Sequence, residues 1–148
     1  MGRHLSYLKY LVRHKWFVFI ACRKCNVSLW RSIVHDWHKF LPSEWFPYAG
    51  TFYNQDGSKA KYEENQWFKF AWNFHQKRAK HHWQYWLLTW DRGTTEAIDM
   101  PTKYLNEMVA DWWGAGRAIT GDWDARNWYE KNKDKMILSP TTRTMVES

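Results

Sequence analysis

Two imidazoles and two carboxylates, His14, His35, Asp36 and Asp111, are the side chains here best suited to hold a divalent metal ion. His35 and Asp36 are adjacent in "SIVHDWHKF", His14 lies 21 residues upstream, and Asp111 sits in the apolar run "NEMVADWW". Mixed nitrogen and oxygen donors of this kind suit a borderline ion: Mn, Fe, Co, Ni or Zn. The competing interpretation is a buried His–Asp pair with no ion, because such contacts are common in cores. Asp111 weighs against it, since a carboxylate among apolar neighbours is costly unless something cationic faces it.

A second stretch, "NFHQKRAKHHWQYW", carries His75 and His82 seven residues apart with Arg78 between them. On one continuous helix the two histidines fall about 20° from alignment, and the stripe suits a phosphate. The competing interpretation is a solvated basic face, with Lys77, Lys80 and His81 close by. Lys39, one helical turn after His35, can place a cation beside a bound phosphate. Glu107, one turn before Asp111, is a candidate for orienting a ligand from behind. Arg117 in "GAGRA" is a further phosphate candidate. Its Gly-Ala-Gly is no phosphate loop, because it falls inside a helical pattern rather than after a strand.

The elements that must position these groups are helical. Val, Ile and Thr never alternate over a useful length, so no strands are expected. A first helix is expected from about His4 to Cys25, with Leu5, Leu8, Leu11 and Val12 opening its apolar stripe. Ser28 can cap a second, Leu29 to Phe40, which Pro42 stops. Ser43 can cap a short third helix through "EWFPYAGTFY". After the turn "NQDGSK", a long aromatic helix is expected from about Glu63 to Trp90, kinked near Ala79. Pro101 opens a helix through Ala118, with Asp99 as its cap. Asp124 caps another to about Met136, and "SPTTR" starts the last. The fold class is all-α: a compact bundle of six or seven helices, with residues 1–148 as a single domain.

Composition narrows the function classes. Of 148 residues 20% are aromatic, including thirteen Trp, which recur at helical spacing and favour a ring-rich core over a base-stacking platform. The net charge of +7 favours anionic partners, and the basic residues are spread through the chain without a nucleic-acid-like tract. A phosphorylated small molecule is therefore the expected partner, with nucleic acid as the other anionic choice and a homo-oligomer not excluded. The most apolar run, "WFVFIAC", is far short of a membrane span, so no membrane partner is expected and the chain reads as cytoplasmic. Cys22 and Cys25 read as reduced structural thiols, because no second pair exists to complete a zinc site.

The order His14, His35–Asp36, Asp111, with "HDWHK" standing where many members read "HDxGK", resembles the HD-domain superfamily of metal-dependent phosphohydrolases. Nearly the whole chain also resembles a family of small phage and bacterial proteins through "RHKWFV", "HDWxKF", "KHHWQYW" and "EMVADW", and that likeness carries no known activity with it. The HD resemblance implies an HD-like helical fold with His14, His35, Asp36 and Asp111 around one metal. His4 is its alternative first ligand, and His14 is favoured because its helix then ends twelve residues later, at Asn26. The same resemblance makes Glu44 a candidate general acid or base, against a plain exposed capping glutamate in "PSEW". It also offers His75 and His82 to a second metal. His38, where the superfamily has glycine, adds bulk near the site. The implied activity is hydrolysis of a phosphomonoester or phosphodiester in a nucleotide or nucleotide second messenger, with Trp37 or Trp83 stacking the base. A non-catalytic, Trp-rich module that binds nucleic acid or a host protein is the alternative, and phage encoding would put either in the host cytoplasm.

Overall fold

The computed structural model describes residues 2–148. Among them are seven α-helices and one small hairpin, so the all-α class holds. The first helix, α1 (Gly2–Lys24), buries Tyr7, Leu11, His14, Val18, Ala21 and Cys22. From Tyr7 to Ala21 those steps of three and four residues define one stripe along the helix. The expected stripe is shifted: Leu11 is buried, whereas Leu5, Leu8 and Val12 are exposed.

The buried stripe faces α5 (Thr102–Thr120), which is the main partner of α1. Gly114 makes that contact close, since a Cβ there would fall 2.5 Å from the Cα of Val18. His14 is one turn before Val18 and Asp111 one turn before Gly114. The close packing of the two helices lets those side chains reach each other across it, with His14 Nε2 3.4 Å from Asp111 Oδ1.

α2 (Leu29–Val34) begins as expected, with Ser28 Oγ accepting the Arg31 amide. It stops at Val34, not Phe40. Asp36 takes a left-handed conformation, φ 56°, and Trp37–Phe40 forms a 3₁₀ turn. Lys15 Nζ donates to the carbonyls of Ile33 and His35, supplying donors that the shortened helix end needs. Pro42 begins α3 (Pro42–Phe52) instead of ending a helix, and Leu41, not Ser43, is its N-cap.

α4 (Gln66–Arg78) is half the length expected of it. Ala79 leaves the helix, His81 and His82 lie in the following turn, and Trp83–Trp86 is a 3₁₀ turn. The chain then enters β1 (Leu87–Thr89), which pairs antiparallel with β2 (Thr95–Ala97). These short strands were not expected; "DRG" between them supplies the turn, with Gly93 at φ 86°. Asp99 does not cap α5; it accepts the Ser139 hydroxyl, while Pro101 occupies the cap position. α6 (Ala125–Asn132) and α7 (Pro140–Glu147) are capped by Asp124 and Ser139, with a 3₁₀ turn from Lys133 ending the stretch expected to be one helix.

The core consists of Tyr, Leu, Met, Val and Ala, and none of the tryptophans is fully buried. Trp45, Trp72, Trp83, Trp86, Trp112 and Trp113 pack partly buried around it. The core rings are thus tyrosines, with the tryptophans at its edge, where an indole keeps its N–H within reach of a partner. Cys22 and Cys25 are free thiols, and burial pushes Cys22 up to about 12. Among the described residues no helix is long and apolar enough to cross a membrane.

Candidate metal centre

His14 Nε2 lies 3.4 Å from both Asp36 Oδ2 and Asp111 Oδ1. His35 Nε2 lies 3.5 Å and 3.2 Å from the same two oxygens. Four donor atoms thus close a ring with edges of 3.2–3.5 Å. With metal–ligand bonds of about 2.1 Å, a tetrahedral shell has edges of about 3.4 Å. Direct hydrogen bonding accounts for only one edge of the ring, His35 Nε2 to Asp111 Oδ1 at 3.2 Å. Neither Asp36 oxygen nor either His14 nitrogen has a hydrogen-bond partner among the described residues, although all are buried. The donors fit a cation.

Three elements supply them: α1 gives His14, α5 gives Asp111, and the end of α2 gives His35 and Asp36. Adjacent residues on a helix would point about 100° apart. The left-handed turn at Asp36 removes that constraint and lets both side chains face one point. This is the physical reason the second helix ends early.

A second set of donors shares Asp36 by its other oxygen. Asp36 Oδ1 lies 3.2 Å from His81 Nε2 and 3.5 Å from His75 Nε2, while His75 Nε2 is 2.9 Å from His82 Nε2. Asp36, His75, His81 and His82 offer donor atoms close enough to hold a second ion. Two ring nitrogens facing each other need a proton or a cation between them. His75 and His82 reach each other because the chain turns back after Arg78, not because they share a helix face.

Outer carboxylates set the orientation of the rings. Glu107 Oε1 lies 3.0 Å from His35 Nδ1 and 3.2 Å from His81 Nδ1, and its other oxygen pairs with Arg31 at 2.6 Å. Glu44 Oε1 lies 2.7 Å from His75 Nδ1, and its Oε2 accepts from Arg78 at 3.0 Å. An ionised carboxylate only accepts, so each of these three histidines carries a proton on Nδ1 and turns its Nε2 inward.

The electrostatics agree. Burial disfavours the charge on Asp36, yet His35, Lys39, His75 and His81 outweigh it and hold that carboxyl well below its usual range. Asp111 and Glu107 are lowered in the same way against burial, through His35 and its neighbours. Glu44 is held at about 2 by His38 and His75, again against burial. His81 is buried, but Asp36 and Glu107 raise it to about 10. Burial lowers His14, His75 and His82.

The sequence of residues 3–148 matches the profile of a family described as a family of unknown function (DUF5662). The chain belongs to that family. No curated protein and no solved structure matches it.

The remaining predicted residues divide. Lys39 Nζ sits 2.9 Å from Asp36 Oδ2, out of hydrogen-bonding line. Glu107 contacts the rings of His35 and His81 on their Nδ1 side. Glu44 is neither an exposed cap nor a free base: it is fully buried and both its oxygens are engaged. Arg78 is spent on Glu44 and Ser43. His38 turns from the His14, His35, Asp36 and Asp111 donors toward Glu44, 3.5 Å away, so its bulk does not fill the candidate centre. Two candidates fall outside. His4 accepts from Trp45 Nε1 at 3.0 Å, and Arg117 packs over Phe17 near the far end of α5. Trp37 is exposed at the rim of a cavity of about 540 Å³ beside His35, and Trp83 lines a cleft of about 300 Å³ beside His82 and Asp111.

His81 is the residue that sequence reasoning missed: it entered only as a neighbour in the competing interpretation of that stretch as a solvated basic face. It is 2% exposed and faces three carboxylates, Asp36, Glu107 and Asp111. The signal was the pair His81–His82 itself, which makes little sense on a solvated helix and good sense in a turn folded onto a carboxylate.

Proposed function

We propose that the protein is a metal-dependent phosphohydrolase acting on a nucleotide or nucleotide second messenger, with two divalent transition ions held side by side through Asp36. One observation carries this reading: the two oxygens of Asp36 face separate sets of imidazole nitrogens, His14 with His35 on one side and His75 with His81 on the other. A carboxylate shared in this way suits the two-ion arrangement used in phosphoester hydrolysis. The HD-like order of the ligands points to the same chemistry.

Such ions, when bound, polarise a phosphoryl oxygen and bring the pKa of a bound water toward neutrality. The chain's own residues do the rest. Lys39 offsets the charge that develops on the phosphoryl group. Glu107 and Glu44 keep Nδ1 of His35, His81 and His75 protonated, which would leave each Nε2 as the donor to an ion. Because Glu44 is engaged on both oxygens, its part is to position His75 rather than to serve as general base. In the net reaction the water oxygen bonds to phosphorus as the ester P–O bond breaks. The alcohol leaves with one proton from water, and inorganic phosphate or a phosphomonoester carries the other.

Metal analysis of protein prepared without chelator, followed by a phosphate-release assay over a nucleotide panel with Mn²⁺, tests the reading. Absence of both bound metal and turnover would sink it. Asp36→Ala should abolish both.

A second reading, a non-catalytic binder of nucleic acid or a host protein, draws support from Trp16, Trp30 and Trp67, which stand 60%, 70% and 54% exposed on a basic chain. It predicts strongly salt-dependent DNA or RNA binding that survives Asp36→Ala.

A further inference from the structure

Three cavities adjoin the candidate centre, and their chemistry differs. The cavity of about 540 Å³ is bordered by Arg31 and Arg78, whose charges are committed to Glu107 at 2.6 Å and Glu44 at 3.0 Å. The cleft of about 300 Å³ beside His82 and Asp111 presents an unpaired acceptor, Gln84 Oε1, where an anion needs donors. The third, of about 400 Å³, lies between α1 and α3 and is lined by Tyr7, Tyr10, Tyr48, Tyr53, Lys39 and Lys59.

What sets this third cavity apart is a pair of buried hydroxyl donors without partners, since Lys80 at the first cavity and Lys135 at the second are also unpaired with any acid among the described residues. Tyr7 and Tyr48 are 2% and 8% exposed, yet their hydroxyls have no hydrogen-bond partner among the described residues. Burial pushes both phenols up, so both stay protonated and able to donate. Lys39 is common to cavity and centre: its ammonium is 2.9 Å from Asp36 and 5.8 Å from the ring centre of Tyr48. The ring of Tyr10 stacks on that of His14. Lys59 is exposed and has no acidic partner among the described residues.

We propose that this tyrosine-lined cavity is the substrate pocket and that it takes a single mononucleotide-sized phosphate ester. The phosphate lies at the Lys39 end beside Asp36, the flat base lies among the tyrosine rings, and Lys59 guards the mouth. The proposal rests on the phosphohydrolase reading for the word substrate; the site itself rests on the unpaired donors. Its volume falls in the range of small-ligand pockets. Aromatic faces accept any base by stacking, and two neutral hydroxyl donors with a lysine suit a phosphate and a base carbonyl. A nucleic-acid chain would need an open groove for its neighbouring nucleotides. Single nucleotides are therefore preferred to oligomers.

The test is calorimetric binding of nucleoside 5′-methylenephosphonates, whose P–C bond resists hydrolysis, to Mn²⁺-loaded protein. Tyr7→Phe and Tyr48→Phe keep the rings and should each weaken binding about three- to tenfold, the range for losing one hydrogen bond. Lys59→Glu, at an exposed position, should weaken it about tenfold. Metal content should stay unchanged in all three, and Lys80→Glu at the 540 Å³ cavity should have no effect. The pocket is overturned if no phosphonate binds, if binding ignores the tyrosine variants, if it follows Lys80→Glu instead, or if a ten-nucleotide single strand competes at lower concentration than the mononucleotide. The two readings fail separately. Phosphonate binding that obeys the variants without phosphate release from any nucleotide sinks the hydrolase and keeps a nucleotide site. Release with binding indifferent to the variants sinks the pocket alone.

Discussion

His35 Nδ1 lies 3.0 Å from Oε1 of Glu107, and this contact decides which nitrogen of His35 faces Asp111. The same carboxylate also holds His81, 3.2 Å away, so one side chain orients a ligand from each donor set. Glu107→Gln removes the charge that fixes both Nδ1 protons. Metal affinity should fall about 10- to 100-fold with the far-ultraviolet circular dichroism unchanged. A metal titration with affinity equal to wild type would show that Glu107 does not orient these rings.

Asp36 is shared between the donor sets, and His82 belongs to one of them. Metal analysis should therefore give two ions per wild-type chain, one for His82→Ala, and none for Asp36→Asn. A single ion in the wild type, unchanged by His82→Ala, would remove the second site.

Gly114 and Gly116 lie two residues apart in α5 but meet different surroundings. A Cβ at Gly114 would strike the Val18 backbone at 2.5 Å, whereas one at Gly116 meets nothing within 4 Å. Gly114→Ala should cost about 3 kcal/mol through overpacking, or roughly 6–12 °C in Tm. It should also loosen metal binding, because His14 and Asp111 separate with their helices. Gly116→Ala should stabilise by up to about 1 kcal/mol from helix propensity. Thermal melts of the two variants check both, and similar melting temperatures would refute the close contact.

Metal binding should release protons at neutral pH. With its pKa raised to about 10, His81 is protonated at pH 7 in the metal-free chain and must lose that proton to become a ligand. Calorimetry in buffers of differing ionisation enthalpy should show about one proton released per chain from this group. The sign for stability follows from the same shift. The metal-free protein holds this contribution below about pH 6.5, the usual histidine value, and loses it as pH rises toward 10. Glu44, lowered to about 2, acts oppositely: its contribution is present above the usual 4.5 and is lost as pH falls toward 2. A metal-free protein whose melting temperature rose from pH 7 to 10 would contradict the assignment of His81.

Local chemistry made much of the helical frame legible. Ser28 and Asp124 cap the helices they were expected to cap, because a cap needs only its own side chain and an amide three residues on. The stripe of α1 was read one position out, since Leu5, Leu8 and Val12 are as apolar as what is buried. Which stripe goes inside depends on the Gly114 contact from a helix some 90 residues away.

His14, His35, Asp36 and Asp111 could be read as one set from the sequence alone, because buried imidazoles and carboxylates on apolar helices are costly unless they satisfy one another. Residue type and spacing determined that much, together with the all-α class. Only the tertiary structure decided that Asp36 turns left-handed and offers one oxygen to each donor set, that the chain reverses after Arg78 to bring in His81, and that His4 and Arg117 stay apart. The physical reason is common to all three. Each depends on where a chain reversal or an unusual backbone angle aims a side chain in space, and helical periodicity carries no information beyond the end of its helix.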